Sequence, residues 1–410
     1  MISMHDDSVA QQIELLSSRV ELQVPPNGIE QKLRKSWAAG TQLVIKLGVD
    51  PTAPDLHLGH GVVLRKLKQF QDAGHKIVLI IGDATARIGD PTGRNSARPP
   101  LSNDDIQRNS ETYLAQLEKF LDLSRVSIRR NSEWLDGINL QQLIQEFSRL
   151  TLGQIMQRRD FSERQLANIP ISMHELIYPI LQGYDSVAIG ADIELGGTDQ
   201  LFNNQVGRWL QEARGLEGQT VLCMPLLVGL DGKDKMSKSK NNYIAISDSS
   251  ADIYGKVMSL PDSVLSSYLQ LTSDFPTETL ETLLHELKAA TVNPMVIKKR
   301  LARQLVSRFY TEDEAARAED SFARNFQNRD GLRHYEPRQI SSELWGRVSV
   351  VQLCQTLEPT RSRSEIRRLI QDHAVEIDGR ICEDIATVIE TREGMTLRIG
   401  KKGFYALQEG

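Results

Sequence analysis

Two imidazoles three residues apart, His57 and His60, bracket Leu58 and Gly59 in a chain of 410 residues. At the start of a helix they share the face of its first turn, where free N–H groups and the positive dipole end favour a phosphate. Both rings could then donate hydrogen bonds to phosphate oxygens as negative charge builds, and Gly59 leaves the backbone open to close approach. Alone, the four residues fit an ordinary polar helix start better, or half of a metal site for which no third ligand stands nearby. Lys235-Met236-Ser237-Lys238-Ser239 lies in a polar stretch, 231–242, after an apolar run. Ammonium groups on such a loop can close over a triphosphate and offset the charge on a leaving pyrophosphate. A solvated basic turn is the usual alternative, but a string with all five positions fixed arises by chance on the order of once in ten thousand chains of this length.

Tyr178, Gln182 and Asp185 fall on one helical face and present a phenol, an amide and a carboxylate together, a set suited to a small zwitterion. The same spacing otherwise describes a polar face turned to water. Gly196-Gly197 ahead of Thr198-Asp199-Gln200 lets the backbone approach a ligand, with Asp199 able to accept from ribose hydroxyls. The alternative is a plain glycine turn opening the helix of Val206, Trp209 and Leu210.

These residues need elements to hold them. Gln42 to Leu47 reads as a strand, Leu58 to Asp72 as a helix with Val63, Leu64, Leu67 and Phe70 at helical spacing, and Lys76 to Ile81 as a strand buried on both faces. Strand, helix, strand in about 40 residues is a right-handed βαβ unit. Residues 102–165 read as a helical insertion, with Tyr113, Leu114, Leu117 and Phe120 in one stripe. Strand patterns return at Asp192 to Leu195 and Thr220 to Val228. The expected fold is α/β: a doubly wound, Rossmann-like parallel-sheet domain over 1–230, an α-helical domain over 231–335 that includes the polar loop, and a small α+β unit over 348–410. Gly331 and Pro337 mark an expected linker.

Composition sets the outer limits. Hydrophobic residues at 40% and charged residues at 25% describe a globular chain and exclude wholesale disorder or a fibrous repeat. No run is long enough for a membrane span, and Met1 to Ala10 lacks the apolar segment of a signal peptide. Cys223, Cys354 and Cys382 are far apart, which suggests neither a zinc site nor a disulfide framework, and a cytoplasmic setting is expected. The net charge of −5 gives no whole-molecule argument for nucleic acid. Positive charge is nevertheless concentrated in Lys298, Lys299, Arg300, Arg303 and Arg308, and again in Arg361, Arg363, Arg367 and Arg368.

The order of these motifs resembles class I aminoacyl-tRNA synthetases, and bacterial tyrosyl-tRNA synthetases in particular. Gly48-Val49-Asp50-Pro51-Thr52-Ala53 and Ile88-Gly89-Asp90-Pro91-Thr92-Gly93-Arg94 add to the likeness, which runs from about residue 42 to the C-terminus. The resemblance implies ATP-dependent activation of L-tyrosine to tyrosyl-adenylate and transfer to tRNA(Tyr) by a homodimer, with Mg2+ carried by ATP. It implies that His57, His60, Lys235 and Lys238 serve the phosphates, with Asp50, Thr52, Gly59, Gly197 and Asp199 also facing ATP. Asp90, Tyr178 and Gln182 would hold the α-ammonium of tyrosine, Gln200 would contact the amino acid, and Asp185 would accept from the phenolic hydroxyl. A buried acceptor at Asp185 would be left unpaired by phenylalanine. Many bacterial relatives carry tyrosine where this chain has Lys46, so the resemblance names no second partner for that hydroxyl. By alternation Lys46 is either a crevice residue or an exposed lysine. The segment from Thr360 resembles an S-four-like RNA-binding module, which implies that Arg361, Arg363, Arg367 and Arg368 contact tRNA phosphates; it has a capping box at Ser362 and Glu365, a tight turn at Asp378-Gly379, and His373 where that module has glycine. A solvated arginine-rich helix is the alternative, because 348–410 holds 9 basic and 10 acidic residues. The tryptophanyl relative fits less well because Asp185 suits a hydroxyl. A non-catalytic RNA-binding protein leaves Gly59 and the two loop lysines unexplained.

Overall fold

The computed structural model describes residues 2–52, 54–92, 101–324, 335–341, 344–400 and 403–409. Ala53, Gly93, Arg94 and Gly331, named above, lie outside the described residues. The chain forms two units, Met1–Ala315 and Ala316–Gly410.

Strands that are apolar without alternation need cover on both faces, and the first unit is built around such strands. Its sheet contains β1 (Leu22–Val24), β2 (Val44–Val49), β3 (Lys76–Ile81), β4 (Val126–Arg130), β5 (Ile193–Gly197) and β6 (Thr220–Met224) in the order β1-β6-β5-β2-β3-β4. All neighbours are parallel except β1 on β6. Chain order reverses between β2 and β5, which opens a crevice at their carboxyl ends, where doubly wound sheets bind ligands. Within 102–165, among five helices, β4 adds an edge strand beside β3. Two local expectations are corrected. The last strand ends at Met224, ahead of Pro225, and does not continue to Val228. The segment at Pro337 is a strand, described below.

The helices before the crevice are α1 (Ile2–Ser17), α2 (Gly28–Ala39), α3 (Leu58–Asp72) and α4 (Asp83–Ala86). Leu64, Leu67 and Phe70 of α3 are buried on the sheet. Lys66 of α3 donates to the carbonyls of Leu15, Leu16 and Ser18 at 3.2, 3.1 and 2.7 Å, satisfying the end of α1 and docking the N-terminal helix. Burial pushes that ammonium down to about 7.

Between β3 and β5 run α5 (Asn103–Leu117), α6 (Ser132–Leu135), α7 (Leu140–Phe147), α8 (Leu152–Ile155), α9 (Arg159–Leu166) and α10 (Met173–Ile189), and α11 (Leu201–Glu212) follows β5. A capping box between Ser172 and Glu175 starts α10, and Gly190 in the left-handed conformation ends it. Helices α10 and α11 pack closely because Gly183 faces Gly207. A β-carbon on Gly183 would stand 3.0 Å from the Gly207 nitrogen.

Helices α12 (Ser250–Met258), α13 (Asp262–Thr272), α14 (Thr277–Lys288) and α15 (Pro294–Phe309) belong to the same unit as the sheet. Arg65 of α3 donates to the Leu271 carbonyl at 2.8 Å, and Phe120 meets Phe309 at 5.6 Å between ring centroids. Three of the five basic residues on α15 are matched by acids outside the helix. Lys298 pairs with Asp262 at 2.6 Å, Arg303 with Glu312 at 2.6 Å, and Arg308 with Asp274. Helix α16 (Glu312–Phe322) contains the division between the units.

The second unit contains β7 (Glu336–Ile340), β8 (Gly346–Ser349), α17 (Val350–Leu357), α18 (Arg363–Gln371), β9 (Val375–Ile377), β10 (Arg380–Ile381), β11 (Val388–Thr391), β12 (Thr396–Ile399) and β13 (Gly403–Glu409). Five strands order as β10-β9-β12-β13-β7, and β8 pairs with β11. The expected linker at Pro337 is therefore an edge strand, parallel to β13, and an edge is where a strand tolerates proline. The capping box at α18 is present, with the Ser362 N–H donating to Glu365 Oε2 at 2.7 Å. His373 takes the left-handed conformation, φ +55°, that glycine would supply after the helix. Asp378 and Gly379 both have positive φ, as a two-residue hairpin turn requires.

Candidate active site

The crevice beyond β2 and β5 is a cleft of about 370 Å³. Asp50, Thr52, His57, Gly59, His60, Asp90, Tyr178, Gln182, Asp185, Gly197, Asp199, Gln200 and Lys235 all line it, so residues up to 185 positions apart meet in one space. Lys238 stands beside the lining, its ammonium 5.9 Å from the centre of the Tyr113 ring, which does line the cleft.

His57 caps the start of α3 in an extended conformation, and its backbone N–H donates to His60 Nδ1 at 3.1 Å. That bond places the His60 proton on Nε2. Burial first, then the His60 ring and the ammonium groups of Lys238 and Lys235, pushes His57 down to about 2, and burial followed by Lys238 pushes His60 down to about 4. Both rings are neutral at pH 7 and can act only as hydrogen-bond donors or acceptors. His57 Nδ1 is buried and has no partner within the protein.

The loop of Lys235 is tied to this helix start from behind. The Leu58 N–H donates to Ile244 O at 3.0 Å and the Ile246 N–H to Leu56 O at 2.9 Å. Within the loop, Asp231 Oδ1 accepts from the N–H groups of Lys233 and Asp234, both at 2.9 Å. Asn242 joins the two ends by donating to Asp231 at 2.5 Å and accepting from the Ser237 N–H at 2.8 Å. Met236 is buried in the cleft wall, leaving Lys235 paired with Asp199 at 2.9 Å. Burial pushes the Lys238 ammonium down from its ordinary value.

The face of α10 is turned to the cleft and not to water. Tyr178 donates its hydroxyl to Asp50 Oδ2 at 2.8 Å, and Asp50 Oδ1 accepts from Thr85 Oγ1 at 2.8 Å. Burial and the Asp50 carboxylate hold the Tyr178 phenol well above its ordinary value. Asp90 accepts from the Thr92 N–H at 2.9 Å, Thr92 Oγ1 at 2.6 Å and Gln200 Nε2 at 2.7 Å, with Arg158 at 3.4 Å. Burial alone would raise this carboxyl, but Arg158 and these hydrogen bonds outweigh it and keep the group ionised below the usual range. Arg158 also holds Asn203 Oδ1 at 3.1 Å, and Asn203 in turn donates to Gln200 at 2.9 Å.

Asp185 lies at the deepest part of the set, 3% exposed. It accepts from Trp134 Nε1 at 2.8 Å and Asn131 Nδ2 at 3.4 Å. Burial drives its carboxyl up to about 7 even though Lys46, Trp134 and Asn131 pull it down. Lys46 is 0% exposed, which corrects both alternatives drawn from strand alternation. It is neither a surface lysine nor a cleft residue, but pairs behind the wall with Glu194 at 2.9 Å and donates to Ser186 Oγ at 2.7 Å and Gln182 O at 3.0 Å. Sequence reasoning missed Asn131, Trp134, Arg158, Asn203, Asn204 and Asn242. Asn204 lines the cleft, and the other five act on its lining at one remove, Asn131 and Trp134 on Asp185, Arg158 on Asp90, Asn203 on Gln200 and Asn242 on the Lys235 loop, through contacts that form only in the fold. Among the described residues, no three or more His, Cys, Asp or Glu side chains gather as a metal site.

In the second unit the four arginines are used differently. Arg363 and Arg367 line a groove of about 440 Å³ with Ser349 and Gln352. Arg361 leans on Glu358 at 3.3 Å, and Arg368 lies 3.8 Å from Asp372.

Comparison with known proteins places the chain in a family. Residues 38–327 match the family model described as class I tRNA synthetases (W and Y). The chain is 49% identical to tyrosine–tRNA ligase 2 of Photorhabdus laumondii, covering 95% of this chain and 97% of that one. It is 45% identical to the tyrosine–tRNA ligase of Thermotoga maritima, with 90% and 91% covered. In fold it is similar to the tyrosyl-tRNA synthetase of Archaeoglobus fulgidus solved with L-tyrosine, at TM-score 0.62 and 21% identity over 76% of this chain and 99% of that one. The chain belongs to the class I tRNA synthetases of the tryptophanyl and tyrosyl type.

Proposed function

We propose that this chain is a tyrosine–tRNA ligase, which activates L-tyrosine with ATP and transfers it to the terminal ribose of tRNA(Tyr). The observation that carries the proposal is one cleft lined by both the phosphate-suited groups, His57, His60 and Lys235, and the α10 face ending in Asp185. In the first step a carboxylate oxygen of tyrosine attacks the α-phosphorus of ATP in line. The P–O bond to the β-phosphate breaks, and pyrophosphate leaves with the bonding pair. A ribose hydroxyl of tRNA then attacks the acyl carbon, loses its proton and releases AMP. No covalent bond to the protein is needed, so the residues act by positioning and by charge stabilisation.

The neutral rings of His57 and His60 supply N–H donors to the phosphates, and Lys238 supplies charge. Lys235 is occupied by Asp199 at 2.9 Å. A ribose that hydrogen-bonds to Asp199 would release this ammonium toward the phosphates. Asp90, ionised and screened from water, receives the α-ammonium with Tyr178 and Gln182, and Asp185 accepts from the phenol. Mg2+ enters with ATP as part of the substrate. Leu140, Ile144, Leu152, Leu166 and Met173 are exposed along 140–173 and offer the apolar surface of a homodimer. No helix among the described residues is long and apolar enough to cross a membrane, and a cytoplasmic setting goes with this reading.

ATP–pyrophosphate exchange with each of the twenty amino acids tests the proposal. Exchange with tyrosine is expected, exchange with tryptophan alone would establish the tryptophanyl relative, and none would favour a binding protein. Lys238→Ala and His60→Ala are each expected to lower kcat by about 100-fold or more. Intact exchange in either variant would remove that residue from the phosphate site.

A further inference from the structure

One side chain of the cleft has no role in the reaction described above. Asn204 of α11 is 1% exposed and lines the cleft. Its backbone carbonyl accepts from Gln219 Nε2 at 2.9 Å, which fixes where the side chain starts. Its Oδ1 accepts from Gln182 Nε2 at 3.0 Å. Its Nδ2 is buried without a partner in the protein, 2.8 Å from where a β-carbon on Gly196 would stand. Any side chain at position 196 would therefore press on this amide.

An amide has a donor end and an acceptor end, and an ammonium group has donors alone. With Nε2 of Gln182 held by Asn204, the end of Gln182 left for the cleft is its carbonyl Oε1. The reverse orientation would aim N–H groups at a cation. We infer that Asn204 is a positioning residue that holds the Gln182 amide with its carbonyl toward the α-ammonium of the amino acid. The inference rests on the tyrosine-binding reading proposed above.

Exchange kinetics on the full chain test it separately from that reading. Asn204→Leu is expected to raise the KM for tyrosine by about tenfold and change kcat by less than about threefold, because the ammonium is held equally in ground and transition states. 3-(4-Hydroxyphenyl)propanoate lacks the ammonium, so as a competitive inhibitor it should show the same Ki on both proteins within about twofold. In a Gln182→Leu background Asn204→Leu should add nothing, because both changes act on one contact. An unchanged KM, a Ki that rises in step with KM, or additive effects in the double variant would each overturn the inference. Should the leucine variant not fold, Asn204→Ala has the same three readouts. Failure of the wild-type chain to exchange with tyrosine would remove the functional reading itself, whereas wild-type exchange with indifferent Asn204 variants would remove this inference alone.

Discussion

Replacing Trp134 with phenylalanine should change how the protein responds to pH more than how it folds. The indole N–H donates to Asp185 Oδ1 at 2.8 Å where the carboxyl is 3% exposed, and it is one of three groups that pull down a carboxyl driven up to about 7 by burial. A hydrogen bond to a charged group contributes about 1.5–3 kcal/mol, and one pH unit corresponds to about 1.4 kcal/mol. Trp134→Phe removes a stabiliser of the ionised form, so the apparent pKa should rise by about one to two pH units. In the proposed reaction the phenol donates to ionised Asp185, and kcat/KM for tyrosine reports the free protein's titration. At pH 7 about half of the wild-type sites and about 1–10% of the variant's would be ionised, so kcat/KM should fall about fivefold to fiftyfold. By pH 9 the gap should narrow to less than about threefold.

Stability offers a second readout of the same group. In the unfolded chain this carboxyl ionises near the ordinary aspartate value of 3.8, far below its folded value of about 7. Its contribution to stability is therefore complete below the unfolded pKa and is lost as pH rises through the folded one. Urea unfolding of wild type should show that loss ending near pH 7, and the variant should go on losing stability above it. An exchange profile whose alkaline-rising limb stays in place in Trp134→Phe, or moves toward acid, would refute the argument.

Lys46→Met leaves Glu194 buried and unpaired, and should cost about 3–5 kcal/mol in urea unfolding. Adding Glu194→Gln should recover most of that loss, and an equal loss in the double variant would contradict the ion-pair assignment. If the groove of Arg363 and Arg367 binds tRNA phosphates, Arg363→Glu with Arg367→Glu should weaken tRNA binding and flatten its dependence on salt, whereas Arg361→Ala, already leaning on Glu358, should do little. Filter binding across a salt series separates these outcomes.

Much of the cleft was legible in the sequence because its residues lie on elements with a period. The spacing of Tyr178, Gln182 and Asp185 already puts them on one face of a helix, and His57 with His60 marks a helix start whose strand precedes it. What escaped notice has no period to betray it. Strand β4 has only Val126 and Ile128 as apolar residues, and β7 contains a proline, so neither reads as a strand until its neighbour is known. Arg158 finds Asp90 across 68 positions and Trp134 finds Asp185 across 51, contacts that only the folded chain creates. Lys46 shows the same limit in reverse. Alternation puts it on a definite side of β2, but its meaning depends on Glu194, one strand away in space and 148 residues away in the chain.

Charge gives the clearest case of what a window along the sequence cannot see. Five basic residues and no acid in 298–308 look like a surface for an anionic partner. Folding brings Asp262, Asp274 and Glu312 onto three of them, and partial burial, with the nearby Arg65, pushes Arg308 down to about 9. Those charges hold helices of the first unit together, and within a screening length they largely cancel. The arginines of 361–368 are answered in part as well, but the two left over, Arg363 and Arg367, line one groove. Glu365 is spent on the cap of α18, Glu358 and Asp372 take Arg361 and Arg368, and no acid faces Arg367 among the described residues. The net charge of −5 is therefore compatible with an RNA partner, and among the described residues Arg363 and Arg367, which line a groove together, are better placed for phosphates than the three paired residues of α15.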